Sequence, residues 1–142
     1  MIKLQRALLL VLIVICFGPV WGGEDDVDRW NPPMDLVATL PKMCWGFFKM
    51  ANVPDTPEYN VLLSCGVWSN HYCPGLVRLK AAAKAKTKQK REEYLVSAKK
   101  EMEYTLRNVK EVPECSVLPI AKSNLDFINL ELQVLKGQKY GR

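Results

Sequence analysis

The sequence predicts an all-α fold, a small disulfide-stapled domain of four to five helices after a cleaved signal peptide. Three observations carry that expectation. Apolar residues recur at steps of three and four along most of the chain, and no run alternates with a period of two. The first twenty-two residues read as an address rather than as structure. Removing them turns five cysteines into four, an even set that suits two disulfides in an oxidising compartment.

The leader comes first in the chain. Lys3 and Arg6 form a short basic region, residues 7–17 are an unbroken apolar run, and Gly18 and Pro19 break it. The run is shorter than the roughly 20 residues that span a bilayer. Val20 and Gly22 suit a cleavage site, which predicts a cut after Gly22. The remaining chain keeps 18 basic and 15 acidic residues, a net charge of +3 against +5 for all 142 residues. The whole chain, with 25% charged and 49% hydrophobic residues, has the composition of one folded domain rather than a disordered chain.

Residues 23–33 form an acidic, extended lead-in with Glu24, Asp25, Asp26 and Asp28, ending in Pro32 and Pro33. The helical domain is expected over residues 34–137. Its first segment carries Leu36, Val37, Leu40, Met43, Cys44, Phe47 and Phe48, divided by Pro41. Thr39 is expected to cap the part that follows, and Gly46 leaves room for a close backbone. A turn near Pro54 leads to a helix opened by Thr56, Pro57 and Glu58, with Val61, Leu62, Cys65 and Trp68 inward. Pro74 and Gly75 mark its close.

The segment over 78–91 holds Arg78, Lys80, Lys84, Lys86, Lys88, Lys90 and Arg91 with no acid among them. Lys80, Lys84 and Lys88 recur at i, i+4, which weakens a helix, so the stretch reads as a solvated helix or a basic loop. Residues 92–111 are amphipathic through Leu95, Ala98, Met102, Leu106 and Val109, and Pro113 ends them. Ser123 and Asp126 are expected to open the last helix. Leu125, Ile128, Leu132 and Leu135 line its apolar face, and Phe127, Leu130 and Val134 widen it. Gly137 is expected to stop it, leaving residues 138–142 as a polar tail.

The cysteines Cys44, Cys65, Cys73 and Cys115 are separated by 20, 7 and 41 residues. These gaps lack the short paired spacing of a zinc site, so no metal or other cofactor is expected. Cys44 and Cys65 lie almost equally far from the turn at Pro54, which predicts Cys44–Cys65 and leaves Cys73–Cys115. One straight helix over 75–111 would run roughly 55 Å and part Cys73 or Cys65 from Cys115. Either the basic stretch breaks the helix, which is the expectation, or Cys115 pairs with another chain.

Several motifs bear on function. Lys90 and Arg91, with Lys88 nearby, resemble a prohormone-processing pair, although a solvated helix face has the same composition. Gly141 and Arg142 after Tyr140 resemble an amidation signal, which would leave Tyr140 as the amidated end. The basic block offers a surface for heparan sulfate or anionic lipid. Nucleic acid is not an expected partner, because secretion and the lack of interleaved aromatics speak against it. Trp30, Trp45, Phe47, Phe48 and Trp68 either pack a core or line a cavity for a small apolar ligand. No catalytic set is visible: the one histidine, His71, stands among Ser69, Asn70 and Tyr72 with no nucleophile or phosphate loop, so an enzyme is not expected. The expected function is binding, foremost as an extracellular signalling protein or hormone-like precursor acting on a cell-surface receptor. Venom and reproductive-fluid effectors share this physical class. The alternatives are a carrier of a small hydrophobic ligand and an adhesion protein using the basic block.

Overall fold

The computed structural model describes residues 26–48, 57–109 and 115–140. The expected leader at 1–22, the expected turn at Pro54 and Thr56 cap, Pro113 and the terminal Gly141 and Arg142 lie outside the described residues. So do the side chains of Val67, Trp68 and residues 138–140.

All regular structure among the described residues is helical. Two short helices come first, α1 at Met34–Val37 and α2 at Met43–Phe47, followed by α3 at Pro57–Ser64. A 3₁₀ turn at Val67–His71 leads into α4 at Tyr72–Lys84. Then come α5 at Lys88–Asn108 and α6 at Val117–Tyr140. The three long helices α4, α5 and α6 form the body; α1 packs along α4, and α2 with α3 forms an end cap bonded to the body through Cys44–Cys73 and Cys65–Cys115.

Helix α4 stops at Lys84, where Ala85 is extended, and α5 restarts at Lys88 with the Thr87 hydroxyl accepting from the Lys90 N–H at 3.1 Å. The expected break in the basic stretch is therefore there, three residues long. It folds α4 and α5 into an antiparallel hairpin. The pairing is tight at Gly75, where an added Cβ would lie 2.8 Å from Met102 Cε and 3.1 Å from Glu101 Cβ. Pro74 and Gly75 thus belong to the first turn of α4 and do not close the helix before it. A proline there forfeits no helical hydrogen bond, because that N–H has no partner in any case.

Other expectations are corrected locally. The Thr39 hydroxyl donates back to the Leu36 carbonyl at 2.7 Å, and α2 starts after Lys42 with no side-chain cap. Gly46 admits a ring rather than a backbone, since a Cβ there would sit 2.6 Å from Tyr59 Cγ. Helix α6 begins at Val117, so Ser123 is interior to it, and α6 passes Gly137 to end at Tyr140. Packing of Val117 and Ala121, both fully buried, supports the first turns without the Ser123 cap.

The disulfide pairing is the main correction. The bonds are Cys44–Cys73 and Cys65–Cys115, with Cα atoms 5.5 and 5.1 Å apart. Cys44 and Cys65 do lie at one end of the α2–α3 pair, but each staples that pair to the body. The reason is helix length. With 13 residues α4 runs about 20 Å, whereas α5 with 21 runs about 32 Å. The chain returning along α5 overshoots Cys73 and delivers Cys115 to Cys65. Cys73, in the first turn of α4, is left facing Cys44.

The core joins Leu36, Leu40 and Leu62 from the first three helices and their connections to Tyr72, Leu76, Val77, Leu95, Met102, Ile128 and Leu132 of the body, with both disulfides inside it.

Candidate protein-binding surface

The acidic lead-in is tied to the body at three levels. Asp26 accepts from Arg78 at 2.9 Å and lies 3.5 Å from Lys90. The Arg78 hydrogen bond, with the charges of Arg78 and Lys90, holds the Asp26 carboxyl below the usual carboxylate range against a smaller opposing effect of burial. The Val27 N–H donates to the Tyr94 hydroxyl at 3.2 Å, and Arg78 and Lys90 both lie over the Tyr94 ring. Arg29 Nε lies 2.8 Å from Glu101, whose other oxygen meets His71 Nδ1 at 2.5 Å. Trp30 packs edge-on to His71, and Tyr104 covers the other part of that ring at 3.8 Å. His71 thus serves as a packed partner of a buried carboxylate, two residues from the Cys44–Cys73 bond.

This lead-in divides the basic block. Arg78 is buried and paired with Asp26, Lys90 is held by Asp26 and Glu93, and Arg91 pairs with Glu131 of α6. Lys80, Lys84, Lys86 and Lys88 are exposed around the α4–α5 turn. The dibasic pair Lys90 and Arg91 stands in the first turn of α5, where the Arg91 N–H donates to the Thr87 carbonyl. A protease that reads an extended strand would meet a capped helix there. Tyr140 is the last residue of α6.

Among the described residues, three of the aromatics meet at one cleft and Trp45 lies apart from it. Trp45 donates its indole N–H to the Leu40 carbonyl at 3.0 Å, which ties it to the α1–α2 connection. Trp30, Phe47 and Phe48 form a chain of tilted and edge contacts, and with Asn31, Pro32 and Met34 they line an open cleft of about 260 Å³. Ligand pockets for drug-sized molecules begin near 300 Å³. Among the described residues no three His, Cys, Asp or Glu side chains converge as metal ligands, and no helix is long and apolar enough to cross a membrane.

The last helix also departs from expectation. Ile128, Leu132 and Leu135 are buried, as the pattern requires, but Phe127, Leu130 and Val134 do not widen that face. They are 50%, 57% and 49% exposed and lie with Ile120, at 44%, on the outer side of α6. Steps of seven, three and four place these four on one line, because seven residues are nearly two helical turns. A helix with apolar residues over so wide an arc is packed on both sides or keeps one apolar side for a partner. The signal was present in the sequence. Leu125, Phe127, Ile128, Leu130, Leu132, Val134 and Leu135 span more than the arc one neighbouring helix can cover.

Comparison with known protein families, with curated proteins and with solved structures returned no match.

Proposed function

We propose that this chain is a secreted helical protein that works by binding, an extracellular signalling protein whose interface with another protein is the outer face of α6. The exposed line of Ile120, Phe127, Leu130 and Val134 carries the reading. Folded domains scatter single apolar residues over their surfaces, whereas aligned large ones mark functional contacts. The apolar leader and the use of all four remaining cysteines in two bonds support the oxidising route out of the cell. The partner is a cell-surface receptor or another extracellular protein.

Two measurements test this. Intact mass spectrometry of the chain recovered from the medium of a secretory host should show Gly23 as the first residue and four fewer hydrogens than the reduced form. Labelled protein titrated onto cultured cells should bind saturably, and the double variant Phe127→Asp/Leu130→Asp should lose at least about tenfold in affinity with an unchanged melting temperature. A retained leader removes the secretion half of the reading. Unchanged cell binding by the variant removes the α6 interface.

The cleft at Trp30, Phe47 and Phe48 favours one second reading, a carrier of a small apolar ligand. Long-chain fatty acid that quenches tryptophan fluorescence in the wild type and not in Phe48→Ala would support it, and no quenching would remove it.

A further inference from the structure

We propose that the outer face of α6 is occupied by α6 of a second copy, in an antiparallel two-fold pair centred between Phe127 and Leu130. This rests on the reading of that face as a protein interface: the second copy occupies it when the chain is concentrated, and dilution frees the same face for the receptor.

The argument begins with spacing. Ile120, Ser123, Phe127, Leu130, Val134 and Gly137 follow one another at steps of three, four, three, four and three, and all six are exposed. That is the seam of a two-stranded coiled coil, with four large apolar positions and two small ones. The small ones are Ser123 and Gly137. A Cβ added to Gly137 would meet nothing within 4 Å, so the monomer leaves that spot open.

The order of large and small residues selects the direction of the partner. In an antiparallel pair about the centre given, Phe127 meets Leu130 of the second copy. Val134 meets Ser123, and Ile120 meets Gly137. Each large side chain at the ends of the seam faces a small one, which lets the helices pack evenly. In a parallel pair in register, each position would meet itself. Gly137 would face Gly137 and Ser123 would face Ser123, leaving gaps, while Phe127 would crowd Phe127.

The flanking residues select the same direction. Asp126 and Gln133 border the seam on one side, Asn124 and Glu131 on the other. The parallel arrangement sets Asp126 of one chain against Glu131 of the other, twice, and like charges repel there. The antiparallel arrangement sets Asp126 against Gln133 and Glu131 against Asn124. Asp126 then faces an amide that can donate to it, while Glu131 keeps Arg91 and Asn124 keeps the Tyr72 hydroxyl of its own chain.

One helix face is smaller than the roughly 800 Å² per partner that stable pairs bury. The pair should therefore be reversible and sensitive to concentration. The test is sedimentation velocity on the disulfide-bonded chain from a secretory host, over about 1–300 µM, a range that brackets micromolar association. The mass should rise from one chain to two. Phe127→Asp should weaken association by more than about 100-fold, since the two-fold repeats the loss. Gly137→Trp should do the same with an unchanged melting temperature, because its side chain fills the space meant for Ile120 of the second copy. The double variant Ile120→Cys/Gly137→Cys should form a reducible two-chain species. A single-chain mass at every concentration overturns the proposal. So does a dimer that survives both Phe127→Asp and Gly137→Trp. A monomer whose cell binding is still lost in Phe127→Asp/Leu130→Asp overturns the pair but leaves the α6 interface standing.

Discussion

Arg29 and Glu101 meet at 2.8 Å, and through them the extended lead-in is fastened to α5 where it packs against the first turn of α4. The Glu101 side chain is only 8% exposed and serves both Arg29 and His71. Glu101→Ala leaves two basic groups without their acceptor. The expected loss is about 2–3 kcal/mol, near the lower range for breaking a buried pair because Arg29 keeps some contact with water. Urea denaturation measures it. A loss under about 0.5 kcal/mol would mean that the lead-in is not anchored there.

The disulfides give a sharper check. Peptide mapping without reduction should recover Cys44 linked to Cys73 and Cys65 linked to Cys115. Replacing either pair by serine should cost about 2–5 kcal/mol, with the larger loss for Cys65 and Cys115. Their bond closes a separation of 50 residues against 29, and a longer closed loop removes more freedom from the unfolded chain. A peptide joining Cys44 to Cys65 would refute the topology of the end cap.

Acid should weaken the hold on the lead-in. Asp26 has a lower pKa in the folded chain than in the unfolded one, because it accepts a hydrogen bond from Arg78. Its contribution is complete above the ordinary carboxylate range and fades as pH falls through the lowered folded value. Asp26→Asn should therefore reduce stability at pH 7 and narrow the difference between pH 7 and pH 2. Denaturation curves at both values for the two proteins decide it; an equal difference in both would exclude a role for this carboxylate.

Proteolysis should distinguish the two kinds of basic site. Between Lys84 and Lys88 the chain leaves helix, with Ala85 and Thr87 extended. Limited trypsin treatment should cut there, after Lys84 or Lys86, before it cuts at Lys90 or Arg91. Thr87→Ala removes the cap of α5, at a cost of about 1 kcal/mol, and should speed cutting at Arg91. First cleavage at Arg91 in the unaltered protein, read by mass spectrometry, would show that the first turn of α5 opens readily enough for a processing enzyme.

Much of the helical pattern was legible. The period of apolar residues located α3, α5 and the later part of α6, and the repeated lysines marked the break between α4 and α5. Helix ends were less legible. Ser123 and Gly137 have the chemistry of a cap and a stop, yet α6 runs through both, because Val117 and Ala121 bury themselves before Ser123 is reached. Pro74 and Gly75 looked like an ending and proved to be a beginning, since a first-turn proline and an interhelical glycine carry the same letters as a turn.

Sequence by itself determined the class. Residues that repeat at helical steps, four cysteines behind an apolar N-terminal run and no alternating run leave an all-α stapled domain as the consistent solution. Tertiary structure decided the partners. Which cysteines meet depends on how far α5 overshoots α4, and that follows from where each helix stops. Whether Phe127 is core or surface depends on how many helices surround α6. Local periodicity records which residues share a side of a helix. Only packing against the rest of the chain decides which side is covered, and it leaves the line of Phe127, Leu130 and Val134 facing outward.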